Sequence, residues 1–283
     1  MCVSCACFAA LMGFVRHLNQ FEGMHVFVIA FWRNLLSLVF FLPFFVQARV
    51  SVLVSDHHVM LFWRALLMVI SGTAMFFAAT LMPIPEATAI SFTTPLFCVI
   101  LAVIFLKEHI DLRRSVALAG GLLGVIIILR PGAAVFDWAA LLPILSAATF
   151  GGVIVLGRVL AAFESAEKIA VYIGLRSVPL SLVPALWFWQ WPNGEQFLWL
   201  LATGGAAGLN MYSISRALRI GQASQTAPWD FVRLPFVAAL AYVWFDQRSD
   251  LWTWAGAAVI FGSVVFVTWR ESQIARRTER QAR

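Results

Sequence analysis

Charge is what this sequence has least of. Its 20 basic and 14 acidic residues make up 12% of 283 positions, about half the share of an ordinary soluble domain. A water-soluble globule of this length buries roughly three quarters of its unfolded surface and covers the rest with polar groups. So few charges cannot do that, which excludes a cytosolic enzyme and a disordered chain. Histidine is sparse too: His17, His25, His57, His58 and His109 fall mostly near loops and form no metal-ligand pair. No Walker loop is present, so ATP does not drive this chain directly. Gly120-Gly121 and Gly204-Gly205 lack the strand–turn–helix setting of a phosphate loop and read as close helix packing. Cys2, Cys5 and Cys7 cluster near the start and Cys98 stands alone. They have no partners at ligand spacing and no basic segment before them, so they read as small apolar helix residues rather than a metal site or a cleaved leader. The expectation is a protein that is not an enzyme, with no catalytic residue, no metal and no cofactor.

What is there instead is apolar length. Hydrophobic residues are 61% of the chain and the mean hydropathy is +0.87. A bilayer-spanning helix needs about 20 mostly apolar residues. Ten such spans are expected: Cys2–Val15, His25–Val46, Leu61–Leu81, Glu86–Leu106, Leu112–Leu129, Trp138–Leu160, Lys168–Trp189, Gln196–Ala217, Gln222–Phe245 and Leu251–Trp269. Short loops and a tail remain, with no room for a soluble domain. The first span is short, ending before Arg16, and the expectation is that the true start lies upstream of Met1.

The net charge of +6 would fit nucleic acid if it were spread over a groove. It is not: Arg270, Arg276, Arg277, Arg280 and Arg283 crowd the end of the chain. This is a tail beside a membrane, and no nucleic-acid partner is expected. With both termini in the cytoplasm, fourteen Lys and Arg fall on the cytoplasmic side, three (Arg16, Arg130, Arg248) on the other and three (Arg33, Arg176, Arg233) inside spans. That asymmetry is the signature of a multi-pass inner-membrane protein of bacterial type.

The sequence also repeats itself. The stretch from Pro95 to Glu108 matches that from Pro235 to Gln247, each followed by Asp-Leu (Asp111-Leu112, Asp250-Leu251) and a Gly/Ala-rich helix. The offset is about half the chain. Five spans per repeat force opposite orientations, giving an all-α membrane protein of ten helices in two inverted five-helix repeats. The expected boundaries are residues 1–132, residues 133–271 and a basic tail at 272–283.

Two motif sets carry a family resemblance. One runs from Pro83 to Phe97, through Leu106-Lys107-Glu108, to Ile128–Gly132. The other joins Ala217-Leu218, Gln222–Ser224, Arg233–Phe236 and the Gly256 helix ending at Trp269–Glu271. Together they resemble the two EamA modules of the drug/metabolite transporter superfamily. The resemblance implies ten helices, cytoplasmic termini and transport of small organic metabolites, by export of amino acids or drugs or by uptake of compounds such as S-adenosylmethionine or riboflavin. It differs at Phe245-Asp246-Gln247, where the family usually carries Phe-Gly-Glu.

Few side chains could handle a substrate, because a charge at bilayer depth costs at least ~2.5 kcal/mol. Arg33 and Arg176 can hold a carboxylate bidentately, or can be architectural. Asp230 and Arg233, three apart on one face, are either a self-neutralising pair or a proton- or amine-binding group with its tuning cation. Pro228 and Pro235 flank them and permit a kink. Glu86 opens the fourth span, where a carboxylate favours the helix dipole; with Asp230 it is the candidate coupling residue. Ser91 and Thr94 follow it. Asn210, Tyr212 and Gln225 add polar groups, and Trp229 a stacking surface. The expected function is secondary active transport of an amino acid or related metabolite by alternating access between the halves, with export the expected direction and a proton gradient the candidate drive. Spans 3, 4, 8 and 9 would set the opening to each side. The alternatives are an uptake permease for a cofactor-like metabolite and a passive channel. The expected partners are a small-molecule substrate and the lipid bilayer, with monomer and homodimer equally compatible.

Overall fold

The computed structural model describes residues 2–47, 55–106, 112–129, 138–220, 232–263 and 265. Among them there is no strand; each expected span contains helix. The helices are α1 (Cys2–Gln20), α2 (Val26–Gln47), α3 (His58–Leu81), α4 (Ile84–Ser91), α5 (Thr94–Leu106), α6 (Leu112–Leu129), α7 (Leu141–Leu160), α8 (Ala166–Trp187), α9 (Gly194–Ile220), α10 (Arg233–Phe245) and α11 (Leu251–Ser263). Among the described residues, five stretches are long and apolar enough to cross a bilayer: Cys2–Gln20, His58–Leu81, Ile84–Leu106, Trp138–Leu160 and Lys168–Trp187. Their outward faces carry large apolar side chains such as Ile104, Phe105, Ile154 and Val183. Only lipid suits that surface.

Two spans depart from expectation for clear reasons. α1 runs past Val15 to Gln20, carrying Arg16 inside the helix. The Arg16 guanidinium donates to the Ala79 and Met82 carbonyls at 2.9 and 2.8 Å, and Gln20 to Thr80 O at 3.2 Å. These are carbonyls at the end of α3, which no intrahelical donor reaches. A cation there also complements the helix dipole, so the charge is used without ending α1.

The fourth span is two helices. Pro95 has no N–H for the Ser91 carbonyl, and its ring crowds that carbonyl. α4 therefore stops at Ser91 and α5 begins at Thr94. The Thr94 hydroxyl donates to Ser91 O at 2.8 Å, taking the place of the missing amide.

The helices pack in a few principal pairs: α3 on α7 and α8, α1 on α9 and α10, α2 on α8 and α9, and α5 on α7. α6 and α11 meet through glycines. A Cβ on Gly124 would lie 2.8 Å from the Gly256 carbonyl oxygen, and one on Gly256 2.6 Å from that of Gly124. Gly120 faces Ser263 while Gly256 faces Ile128, so these two helices run antiparallel at backbone contact. Small residues permit that approach in a membrane.

The large apolar core gathers where α1 ends, α2 starts, α3 ends and α4 begins. Leu18, Met24, Val28, Ile29, Ala79 and Ile84 are all fully enclosed there. At the opposite end a separate, smaller cluster joins Leu61, Leu160, Ile169 and Tyr172.

Candidate functional site

Arg33 lies in the second turn of α2. It is held there because the helix around it is apolar, which leaves its guanidinium facing α3. Nη1 donates to Oδ1 of the adjacent Asn34 at 2.7 Å. The charge sits 5.6 Å from the centre of the Phe76 ring, within cation–π range. Its Nε is enclosed and has no hydrogen-bond partner. Among the described residues no carboxylate is within ion-pair distance of it. Neighbouring Trp32 also has an enclosed, unpartnered Nε1. It packs toward Trp189 and Phe197, at 6.3 and 5.9 Å between ring centres. A desolvated cation without a counter-charge is costly unless a ligand supplies one.

Arg176 does not share that setting. It donates to the His58 carbonyl and lies 3.1 Å from His58 Nδ1, with its charge 5.1 Å from the Tyr172 ring. Its place is the start of α3, at the other end of the bundle from Arg33.

Asn210 and Arg233 are brought together by α1. Asn210 accepts from the Ser4 hydroxyl at 2.8 Å, and the Arg233 charge stands 4.3 Å over the Phe8 ring. Ser4 and Phe8 are four apart and share one face of α1. Ser91 and Thr94 donate to Thr88 O and Ser91 O at 2.6 and 2.8 Å, inside the α4–α5 break. Glu86 occupies the first turn of α4, and Tyr212 is exposed on α9. Gln225, Trp229 and Asp230 lie outside the described residues, as does Pro228.

Several polar residues at helix contacts were not singled out in the sequence. The Ser71 hydroxyl donates to Ser146 O at 2.9 Å, joining α3 to α7. Arg64, tallied above with the cytoplasmic charges, is in the second turn of α3. Its Nε donates to Val153 O at 3.0 Å, and Gly157 leaves room beside it.

The largest omission is a cluster between the segment before α3 and the α7–α8 connection. Glu164, 7% exposed, accepts from the Ser55 hydroxyl and faces His57 Nδ1 at 3.4 Å and Lys168 Nζ at 2.7 Å. Bonding from Lys168 and Ser55 holds its carboxyl down at about 2. At the opposite end, Gln196 and Gln190 donate to the Glu22 and Gly23 carbonyls at 3.1 and 3.4 Å. His25 stacks on Phe188 there, 3.7 Å apart and 3° from parallel, and its burial pushes the imidazole below its usual range.

Comparison with known proteins adds the following. The model of the EamA-like transporter family matches residues 1–130 and again residues 137–269. The chain is 29% identical to the S-adenosylmethionine uptake transporter of Rickettsia felis, over 91% of this chain and 88% of that protein. It is 28% identical to the riboflavin transporter of Brucella anthropi, over 98% and 99%. The riboflavin transporter of Vibrio cholerae is 34% identical, over 69% and 66%. A solved crystal structure shares the fold at a TM-score of 0.58, with 19% identity over 98% of both chains.

Proposed function

The chain belongs to the EamA-like transporter family, and on that premise we propose that it takes up a cofactor-sized metabolite bearing a carboxylate, with Arg33 as the counter-charge. The observation that carries this is the enclosed, unpartnered Nε of Arg33, with no carboxylate of the described residues beside it. A substrate carboxylate supplies what the guanidinium lacks, bidentately. S-adenosylmethionine, which the Rickettsia felis relative is named for, carries such a group at one end and a planar base at the other. The sequence alone favours export; the name of that relative supports import. Riboflavin is the second reading, favoured by the near full-length match to the Brucella anthropi protein.

The halves 1–132 and 133–271 are inverted repeats in this reading. The double match of the family model supports the division. So does the pairing of helix contacts. Exchanging each span with the one five places on turns α3–α7 into α9–α1, α2–α9 into α8–α3, and α5–α7 into α10–α1. The bonds Ser71–Ser146 and Ser4–Asn210 are counterparts under the same exchange. Antiparallel α6 and α11 fit opposite orientations of the halves. The Lys/Arg asymmetry supports cytoplasmic termini and tail. Alternating access then rocks the halves around Arg33. Asn210 and Arg233 border the path beside α1, while Asp230 and Glu86 remain the candidate proton carriers.

The test is accumulation of labelled S-adenosylmethionine and of labelled riboflavin by cells producing the wild type or Arg33→Leu at equal membrane levels. Saturable uptake of the first, lost in the variant, is expected. Uptake of riboflavin alone supports the second reading. Uptake of neither, or full activity in Arg33→Leu, overturns the assignment.

A further inference from the structure

We propose that the loop contacts at the two ends of the bundle are the two gates of transport, and that the Glu164 cluster is the latch holding the cytoplasmic gate shut. This rests on the transport reading and repeat division given above. At one end, residues 55–58, leading into α3, meet residues 163–168, which run from the α7–α8 connection into the first turn of α8. At the other end, residues 22–25, between α1 and α2, meet residues 188–196, which run from the α8–α9 connection into the first turn of α9. Exchange of the repeats turns the connection after the first span into the connection after the sixth. It turns the connection after the seventh span into that after the second. The two contacts are therefore one contact built twice, once on each face, and each ties a loop of one repeat to a loop of the other. Separating the repeats at either face must break the contact there.

Their chemistry differs. The 22–25 contact is neutral: two side-chain amides donate to backbone carbonyls, and an imidazole stacks on a phenyl ring. The 55–58 contact is charged. One carboxylate takes Ser55 and Lys168, faces His57, and is bordered by the His57–Phe163 ring stack at 4.8 Å. Arg176 adds a second tie, through His58, onto the same start of α3. Below the neutral contact lies the large apolar core; below the charged one, among the described residues, lies the small cluster of Leu61, Leu160, Ile169 and Tyr172. Apolar burial secures the first end. The second depends on charge-assisted hydrogen bonds, which are strong and directional when made and are replaced by water when parted.

The experiment reads gate opening without any substrate. In protein with Cys2, Cys5, Cys7 and Cys98 replaced by alanine, Leu160→Cys places a thiol under the latch. Met24→Cys places one under the opposite contact. Both native residues are fully enclosed. A charged, membrane-impermeant maleimide is applied to each face in turn, using vesicles of both orientations. Glu164→Gln and Ser55→Ala, which weaken or remove the bond that crosses between the repeats, are expected to raise cytoplasmic labelling at Leu160→Cys about tenfold, the scale of one charge-assisted bond, with Met24→Cys unchanged. Ser55→Thr, which keeps the donating hydroxyl, is expected to keep the parent rate. Parent-rate labelling in both disrupted variants overturns the proposal. So does an equal rise at Met24→Cys, because the cluster then holds the fold and not one end. If labelling changes as expected while neither compound is taken up, the latch stands and the substrate assignment falls.

Discussion

Gln247 accepts the backbone N–H of Ile84 at 3.1 Å, across 163 residues of chain. The bond joins the turn after α10 to the start of α4, where the first amides have no intrahelical acceptor. Glutamate is usual at this position in the family that the sequence resembles, and the amide keeps the acceptor while dropping the charge. Gln247→Ala should destabilise the protein by about 1 kcal/mol. Gln247→Glu should stabilise it by about 0.5 kcal/mol through the helix dipole. Thermal unfolding in detergent checks both, and the two shifts must have opposite signs.

The preceding residue, Asp246, has φ +50°, in the left-handed region. Its N–H reaches back to Tyr242 O at 3.1 Å, closing α10. Glycine, usual there in the family, adopts this conformation freely, whereas an L-residue is strained by roughly 1–2 kcal/mol, least for Asp and Asn. Asp246→Gly should therefore be neutral or stabilising by up to about 1 kcal/mol, and Asp246→Val destabilising by more than that. The same unfolding measurement ranks them.

Arg33 separates stability from transport. A guanidinium enclosed in an apolar helix contact, with no carboxylate of the described residues beside it, destabilises the resting protein. Arg33→Leu should unfold at a higher temperature than the wild type and yet lose at least tenfold in transport. Arg33→Lys should keep the charge, lose the bidentate geometry, and transport weakly. A variant both less stable and inactive would mark Arg33 as a structural residue.

The acid response of Glu164 has a definite sign. Its carboxyl titrates at about 2 in the folded protein, below the ordinary 4.5. The stabilisation it provides is complete above the ordinary value and is lost as pH falls toward 2. The stability difference between wild type and Glu164→Gln should be constant from pH 8 to about pH 5. It should shrink below about pH 4.5. A difference that stays constant down to pH 3 would show that Glu164 gains nothing from these bonds in the folded protein.

The spans were legible because apolar length is a one-dimensional signal. Their interruptions were less so. Arg16 reads as the end of a helix, but the carbonyls that absorb it are 63 and 66 residues away. Pro95 was visible inside its span, yet the size of the break depended on the hydroxyl beside it. Arg33 and Arg176 look alike in sequence, being basic residues in matching spans, and only packing separates a guanidinium with an enclosed, unpartnered Nε from one fixed to His58. The Glu164 cluster left no trace, since Ser55, His57 and Lys168 are ordinary loop and helix-start residues with no period. What brings them together is the meeting of two connections more than 100 residues apart.

The break between α4 and α5 has a consequence for movement through lipid. A joint in a buried helix normally needs water to wet the carbonyl it frees. Here the Thr94 hydroxyl does the wetting, from one residue before the proline that creates the need. The joint thus carries its own solvent molecule on a short tether. The break therefore sits in an apolar surrounding with the carbonyl that the proline frees already satisfied.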